Sequence, residues 1–155
     1  MIIMLEIGDD APDFELLDTE RNTVTGREHK GKKVVVAFFP AAFTGVCTKE
    51  MCTFANMLSE LNKVNATVIG ISADSPFSNG AFAKQNEIEF PLLSDYSRNT
   101  IKEYGVELHD FAGMNGYTAA QRSVFIVNEE GNISWKWIAE NPGQEPDYDA
   151  ILSEI

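Results

Sequence analysis

Apolar positions along the chain fall into short runs and stripes, broken at short intervals by polar or turn-forming segments. Lys33-Val34-Val35-Val36-Ala37-Phe38-Phe39 is apolar after its first residue and rich in β-branched and aromatic side chains, the pattern of a strand buried on both faces. Ala66-Thr67-Val68-Ile69-Gly70-Ile71-Ser72 reads the same way. Between them Met51, Phe54, Ala55, Leu58 and Leu61 recur at helical spacing and place an apolar stripe along one helix face. Strand, helix, strand is the signature of a parallel pair joined by a crossover.

The pattern continues downstream. Ser75-Pro76 opens a predicted helix with its body over Phe77 to Gln85, although Gly80 weakens it. Ser97 to Tyr104 predicts a short helix closed by Gly105, followed by a long loop carrying Gly113 and Gly116. Ser123 to Val127 reads as a strand that turns through Asn128-Glu129-Glu130-Gly131-Asn132 into Ile133 to Ile138, an antiparallel hairpin. Tyr148 to Ile155 is long enough for a helix of about two turns. The sum is an α/β fold, a mixed sheet flanked by helices.

At 155 residues, without an internal repeat or a Ser/Gly-rich linker, the chain predicts one domain over 1–155. Its 44% hydrophobic and 23% charged residues exclude a disordered tail, a fibrous repeat and a disulfide-dense miniprotein. A net charge of −12 argues against a nucleic-acid partner, which would require clustered Lys and Arg. The longest apolar stretch, Val34 to Phe43, is about half the roughly 20 residues of a membrane span, so no membrane partner is expected. Met1-Ile2-Ile3-Met4-Leu5-Glu6 lacks the basic start and long apolar centre of a signal peptide, and a cytoplasmic location is expected. The two cysteines, Cys47 and Cys52, are too few for a secreted disulfide framework and lack nearby partners for a zinc site.

Candidate chemistry concentrates between Phe39 and Cys47, where a strand ends and a helix begins. With Thr44 as N-cap, Cys47 stands near the third helical position, where free backbone N–H groups and the helix dipole favour an anion. A thiolate there is a nucleophile. A lone cysteine is more often a small buried hydrophobe, but these neighbours change the balance.

Pro40, Thr44 and Cys47 form P-x-x-x-T-x-x-C, and with this motif the chain resembles the peroxiredoxins. The resemblance extends to Gly8-Asp9-Asp10-Ala11-Pro12-Asp13-Phe14, Ile69 to Ser75, Phe90 to Asp95 and Arg122 to Val127. It implies a thioredoxin-like fold and a thiol peroxidase needing no metal, haem or other cofactor. Cys47 would attack a hydroperoxide, Thr44 would hydrogen-bond it, and Pro40 would shield the pocket from water. Backbone N–H groups near Val46 and Cys47 would stabilise charge moving between the oxygens. Arg122 matches the family's active-site arginine, a fixed charge for the thiolate, and Glu50 matches the position that orients it. Read without the family, Arg122 is a surface residue at a strand start, Glu50 a favourable first-turn acid and Pro40 a strand terminator.

Cys52 completes C-x-x-x-x-C, similar to the bacterioferritin comigratory protein or PrxQ subgroup, in which the second cysteine resolves the first through an intramolecular disulfide and a thioredoxin-like or other thiol donor restores it. Ala41-Ala42-Phe43-Thr44-Gly45-Val46-Cys47 also resembles one-cysteine peroxiredoxins of the alkyl hydroperoxide reductase E type, with Cys52 then a packed thiol. A thiol-disulfide oxidoreductase is disfavoured by the absence of C-x-x-C, and a non-catalytic binding or chaperone module by the presence of Thr44, Cys47 and Arg122. His29 and His109 read as surface or capping residues. Trp135 and Trp137 share one strand face for packing or an interface. The assembly is a monomer or a homodimer.

Overall fold

Residues 4–155 are described in a computed structural model; Met1, Ile2 and Ile3, part of the N-terminal segment considered above, lie outside the described residues. The chain builds a seven-stranded mixed sheet in the order β2-β1-β5-β4-β3-β8-β9. Its strands are β1 Glu15–Leu17, β2 Thr23–Thr25, β3 Lys33–Phe38, β4 Ala66–Ser72, β5 Leu92–Ser94, β8 Ser123–Val127 and β9 Ile133–Ile138. The central β3 runs parallel to β4 and antiparallel to β8, and β4 runs parallel to β5. Burial on both faces explains why β3 and β4 are continuously apolar. The predicted βαβ unit and the β8–β9 hairpin are present, and the fold is the thioredoxin-like α/β fold expected.

Among the described residues four α-helices accompany the sheet: α1 Gly45–Lys63, α2 Pro76–Asn86, α3 Asn99–Glu103 and α4 Tyr148–Glu154. α1 buries Cys47, Met51, Phe54 and Leu61 with Val35, Ala37, Phe39 and Val124 in one core. The other sheet face carries a second core, in which Val34, Val36, Phe38 and Ile69 meet Phe14, Tyr104 and Phe125. Ser75 caps α2 by accepting from the Ser78 N–H at 3.2 Å, with Pro76 in its first turn, so the Gly80 penalty is overcome. Trp135 and Trp137 are partly buried, each against the α1-side core.

Three differences from the sequence reading have physical causes. β1, β2 and β5 do not emerge from the sequence pattern, since three residues are too few to establish an alternation. The long loop after α3 holds a two-stranded ribbon, β6 Glu107–Leu108 with β7 Ala119–Ala120, for the same reason. α3 is shorter than Ser97 to Tyr104, because Arg98 adopts a left-handed conformation at its N-cap and Gly105 follows with φ +71°.

Candidate active site

β3 ends at Phe38, the buried Pro40 follows, and the chain turns through Ala41–Thr44 into α1. Phe43 in this turn has φ +66°, a left-handed value unusual for a bulky side chain, and its half-exposed ring meets Phe82 edge-on at 5.4 Å. The turn is held from outside by Asp74, whose Oδ2 accepts the Ala42 N–H at 2.8 Å and the Ser72 hydroxyl at 2.8 Å.

Thr44 occupies the N-cap position, as expected, but its hydroxyl does not cap the helix. It donates instead to the Ala41 carbonyl at 2.7 Å, so the first-turn N–H groups of α1 lack a side-chain partner at the cap. Cys47 stands on this turn with 1% of its surface exposed.

Sheet register brings Arg122 to the same place. Ser123 pairs with Phe38, so Arg122 lies one residue beyond, beside the strand end that feeds α1. Its guanidinium is 2% exposed, in contrast to the surface residue that a strand start alone suggested. Nη2 donates to Cys47 Sγ at 3.2 Å and Nη1 to Glu50 Oε1 at 2.9 Å. Glu50 lies one turn after Cys47 on α1, fully buried, and its Oε2 has no hydrogen-bond partner among the described residues. Burial pushes the Glu50 carboxyl up to about 8, against the opposing pull of Arg122. Burial also works against the Arg122 charge, but Glu50 and Cys47 outweigh it and hold the guanidinium above its ordinary range.

Cys52 is half-buried further along α1, packed against the α1-side core, its thiol 3.9 Å from Asn86 Oδ1. Both cysteines are free thiols. His29 and His109 lie apart, on the Thr25 carbonyl and the Thr118 hydroxyl. A cavity of about 420 Å³ with Phe14, Val36 and Tyr104 in its wall opens on the opposite sheet face, and Cys47 does not line it.

The structure thus gathers Cys47, Glu50 and Arg122 in direct contact, with Pro40 and Thr44 on the adjoining turn and Cys52 outside the contact set. Sequence reasoning missed Asp74 and the Pro142 carbonyl, which accepts from Arg122 Nε at 3.2 Å and Nη2 at 2.9 Å. Asp74 lay within the Ile69 to Ser75 resemblance but carried no assigned role; a backbone carbonyl leaves no side-chain signature.

A thiol buried at a helix start against a guanidinium, on this fold, defines a class of cysteine-dependent redox proteins. Residues 7–136 match the AhpC/TSA family model, and the chain belongs to that family as a peroxiredoxin, a thiol peroxidase. It is 36% identical to the peroxiredoxin bcp of Coxiella burnetii over 86% of this chain and 88% of that one. With the thiol peroxidase of Corynebacterium glutamicum it shares 32% identity over 97% of this chain and 88% of the relative. The crystal structure of BcpB from Mycobacterium tuberculosis superposes with a TM-score of 0.84 at 28% identity, covering 97% of this chain and 96% of that one. No helix among the described residues is long and apolar enough to cross a membrane.

Proposed function

We propose that the chain acts as one domain in the cytoplasm, reducing hydrogen peroxide or organic hydroperoxides with Cys47 as the nucleophile. The observation that carries this reading is the 3.2 Å contact from Arg122 Nη2 to Cys47 Sγ at the start of α1. The Cys47 thiolate attacks one peroxide oxygen and the O–O bond breaks, leaving a sulfenic acid and an alkoxide or hydroxide that takes up a proton. Arg122 and the open N–H groups of the first turn stabilise the charge that moves onto the leaving oxygen. With its own proton committed to Ala41, the Thr44 hydroxyl offers lone pairs to the peroxide O–H. Pro40 removes a competing donor and helps wall out water, and Glu50 holds Arg122 in orientation.

Cys52 then attacks the Cys47 sulfenic acid, releasing water and forming a disulfide that a thioredoxin-like dithiol reduces. Replacing Cys47 with Ser is expected to bring dithiothreitol-supported peroxide consumption down to the uncatalysed level; retained turnover rejects the assignment. Intact mass after one equivalent of peroxide tests the second step. A loss of two hydrogens with no free thiol supports Cys52 as the resolving residue, whereas a persistent gain of one oxygen supports a one-cysteine cycle.

A further inference from the structure

Residues 139–147, between β9 and α4, contain no helix or strand, yet they make direct contact with Arg122. The Pro142 carbonyl bridges the Nε–Nη2 edge of the guanidinium at 3.2 and 2.9 Å. Nη2 is also the nitrogen that touches Cys47 Sγ, so a shift of this carbonyl turns the contact on the sulfur. Glu50 holds the remaining side through Nη1.

We infer that residues 139–147 form a strap whose Pro142 carbonyl, latched in place through Glu145, positions Arg122 on the Cys47 sulfur for peroxide reduction. The inference rests on Cys47 being the nucleophile. The strap is fixed where it leaves the sheet: the Ala139 N–H donates to the Arg122 carbonyl at 2.9 Å, and Gln121 Nε2 donates to the Ala139 carbonyl at 2.7 Å. Its tip is a self-bonded turn, in which Gln144 N–H donates to the Asn141 carbonyl at 3.2 Å and the Glu140 N–H to Gln144 Oε1 at 2.9 Å. Pro142 at the second position of that turn narrows its backbone freedom. At the far end Glu145 accepts from the Tyr148 hydroxyl at 2.6 Å and pairs with Lys49 Nζ at 3.2 Å, while the Tyr148 ring packs on Phe54 at 5.5 Å. Lys49 follows Cys47 by two residues, so the latch joins the strap to the helical turn that carries the nucleophile. Lys49 is largely exposed and its ion pair is weak, which leaves the hydrogen bond from Tyr148 as the stronger anchor.

Two variants separate positioning from mere sealing of the core. Pro142→Gly keeps the carbonyl and frees the turn; Glu145→Ala cuts the latch. In each, Cys47 alkylation by iodoacetamide is followed against pH by peptide mass spectrometry, alongside kcat/KM for hydrogen peroxide and the thermal midpoint. Loosening a hydrogen bond to a charged group predicts alkylation at pH 7 and kcat/KM both reduced about ten-fold, with the pH profile of alkylation moved to higher pH. Glu145→Gln, which keeps an acceptor for Tyr148, should recover toward the parent. Unchanged alkylation profiles and kcat/KM in Pro142→Gly overturn the strap whatever happens to the thermal midpoint, and this variant decides the matter if Glu145→Ala does not fold. A shifted alkylation profile in a chain whose parent turns over no peroxide would instead reject Cys47 as a peroxidatic nucleophile, and with it the strap's part in peroxide reduction, while upholding the Pro142 carbonyl as what sets Arg122 on the sulfur.

Discussion

A single guanidinium faces two acidic groups in this site, and the balance among the three sets its chemistry. Arg122 can neutralise one full negative charge; an ionised Glu50 and a Cys47 thiolate together leave an excess that burial penalises. With burial pushing Glu50 up to about 8, its carboxyl holds a proton in the folded state over a range where an exposed glutamate, at 4.5, has lost it. The folded state therefore binds more protons than the unfolded state between these two values, and stability falls as pH rises through that window. Glu50→Gln removes the titration while keeping an acceptor for Arg122. The parent is expected to lose stability relative to this variant from pH 5 to pH 8.5, by an amount on the order of a few kcal/mol. Parallel urea-unfolding curves for the two proteins at both pH values would show that Glu50 titrates normally. Cys47 is legible in the sequence from its place in the first helical turn after Thr44, whereas the roles of Thr44 and Pro40 come with the family motif. Arg122 and Glu50 needed the family resemblance, because nothing local to either residue announces that they are buried against each other across the fold.

α1 holds both cysteines on one unbroken helix, which makes disulfide formation a problem of secondary structure. Five residues along an ideal helix separate Cα atoms by roughly 8.7 Å and rotate the side chains about 140° apart. A relaxed disulfide rarely spans more than about 6.8 Å between Cα atoms, so the first turns of α1 must open before the Cys47–Cys52 bond closes. Helix ends are where such opening is cheapest, and the N-terminus of α1 lacks a side-chain cap. On oxidation, residues 45–53 are expected to lose amide-exchange protection, while β3 and β8 retain theirs in the sheet centre. A confirmed disulfide form with unchanged protection in α1 would refute the unwinding. The elements of this argument are legible in the sequence, since β3, β4, α1, β8 and β9 are each long enough to carry an apolar run or a stripe. β1, β2, β5, β6 and β7, of two or three residues, are fixed by pairing with other strands rather than by a pattern of their own.

At the scale of the whole molecule, the site is a meeting of segments remote in the chain: Arg122 is 75 residues from Cys47 and 72 from Glu50. In the proposed Cys47–Cys52 cycle, opening α1 would separate these segments locally and present the disulfide to a protein donor, whose approach would be governed by long-range charge. The chain carries −12, so a thioredoxin of net negative charge meets a repulsive field before any contact is made. Screening lengths fall from about 30 Å at 0.01 M salt to about 8 Å at 0.15 M, which removes most of that repulsion between exposed charges. The rate of disulfide reduction by an acidic thioredoxin is expected to rise several-fold over this range. Reduction by uncharged dithiothreitol under the same conditions should change little, because it has no net charge for the field to act on. Stopped-flow measurement of both donors at the two salt concentrations separates the field from any effect of salt on α1 itself, which would alter both rates together. If the acidic protein donor instead slows as salt is added, association is steered by a local complementary patch around the opened helix and the net charge of the chain is not what the donor senses.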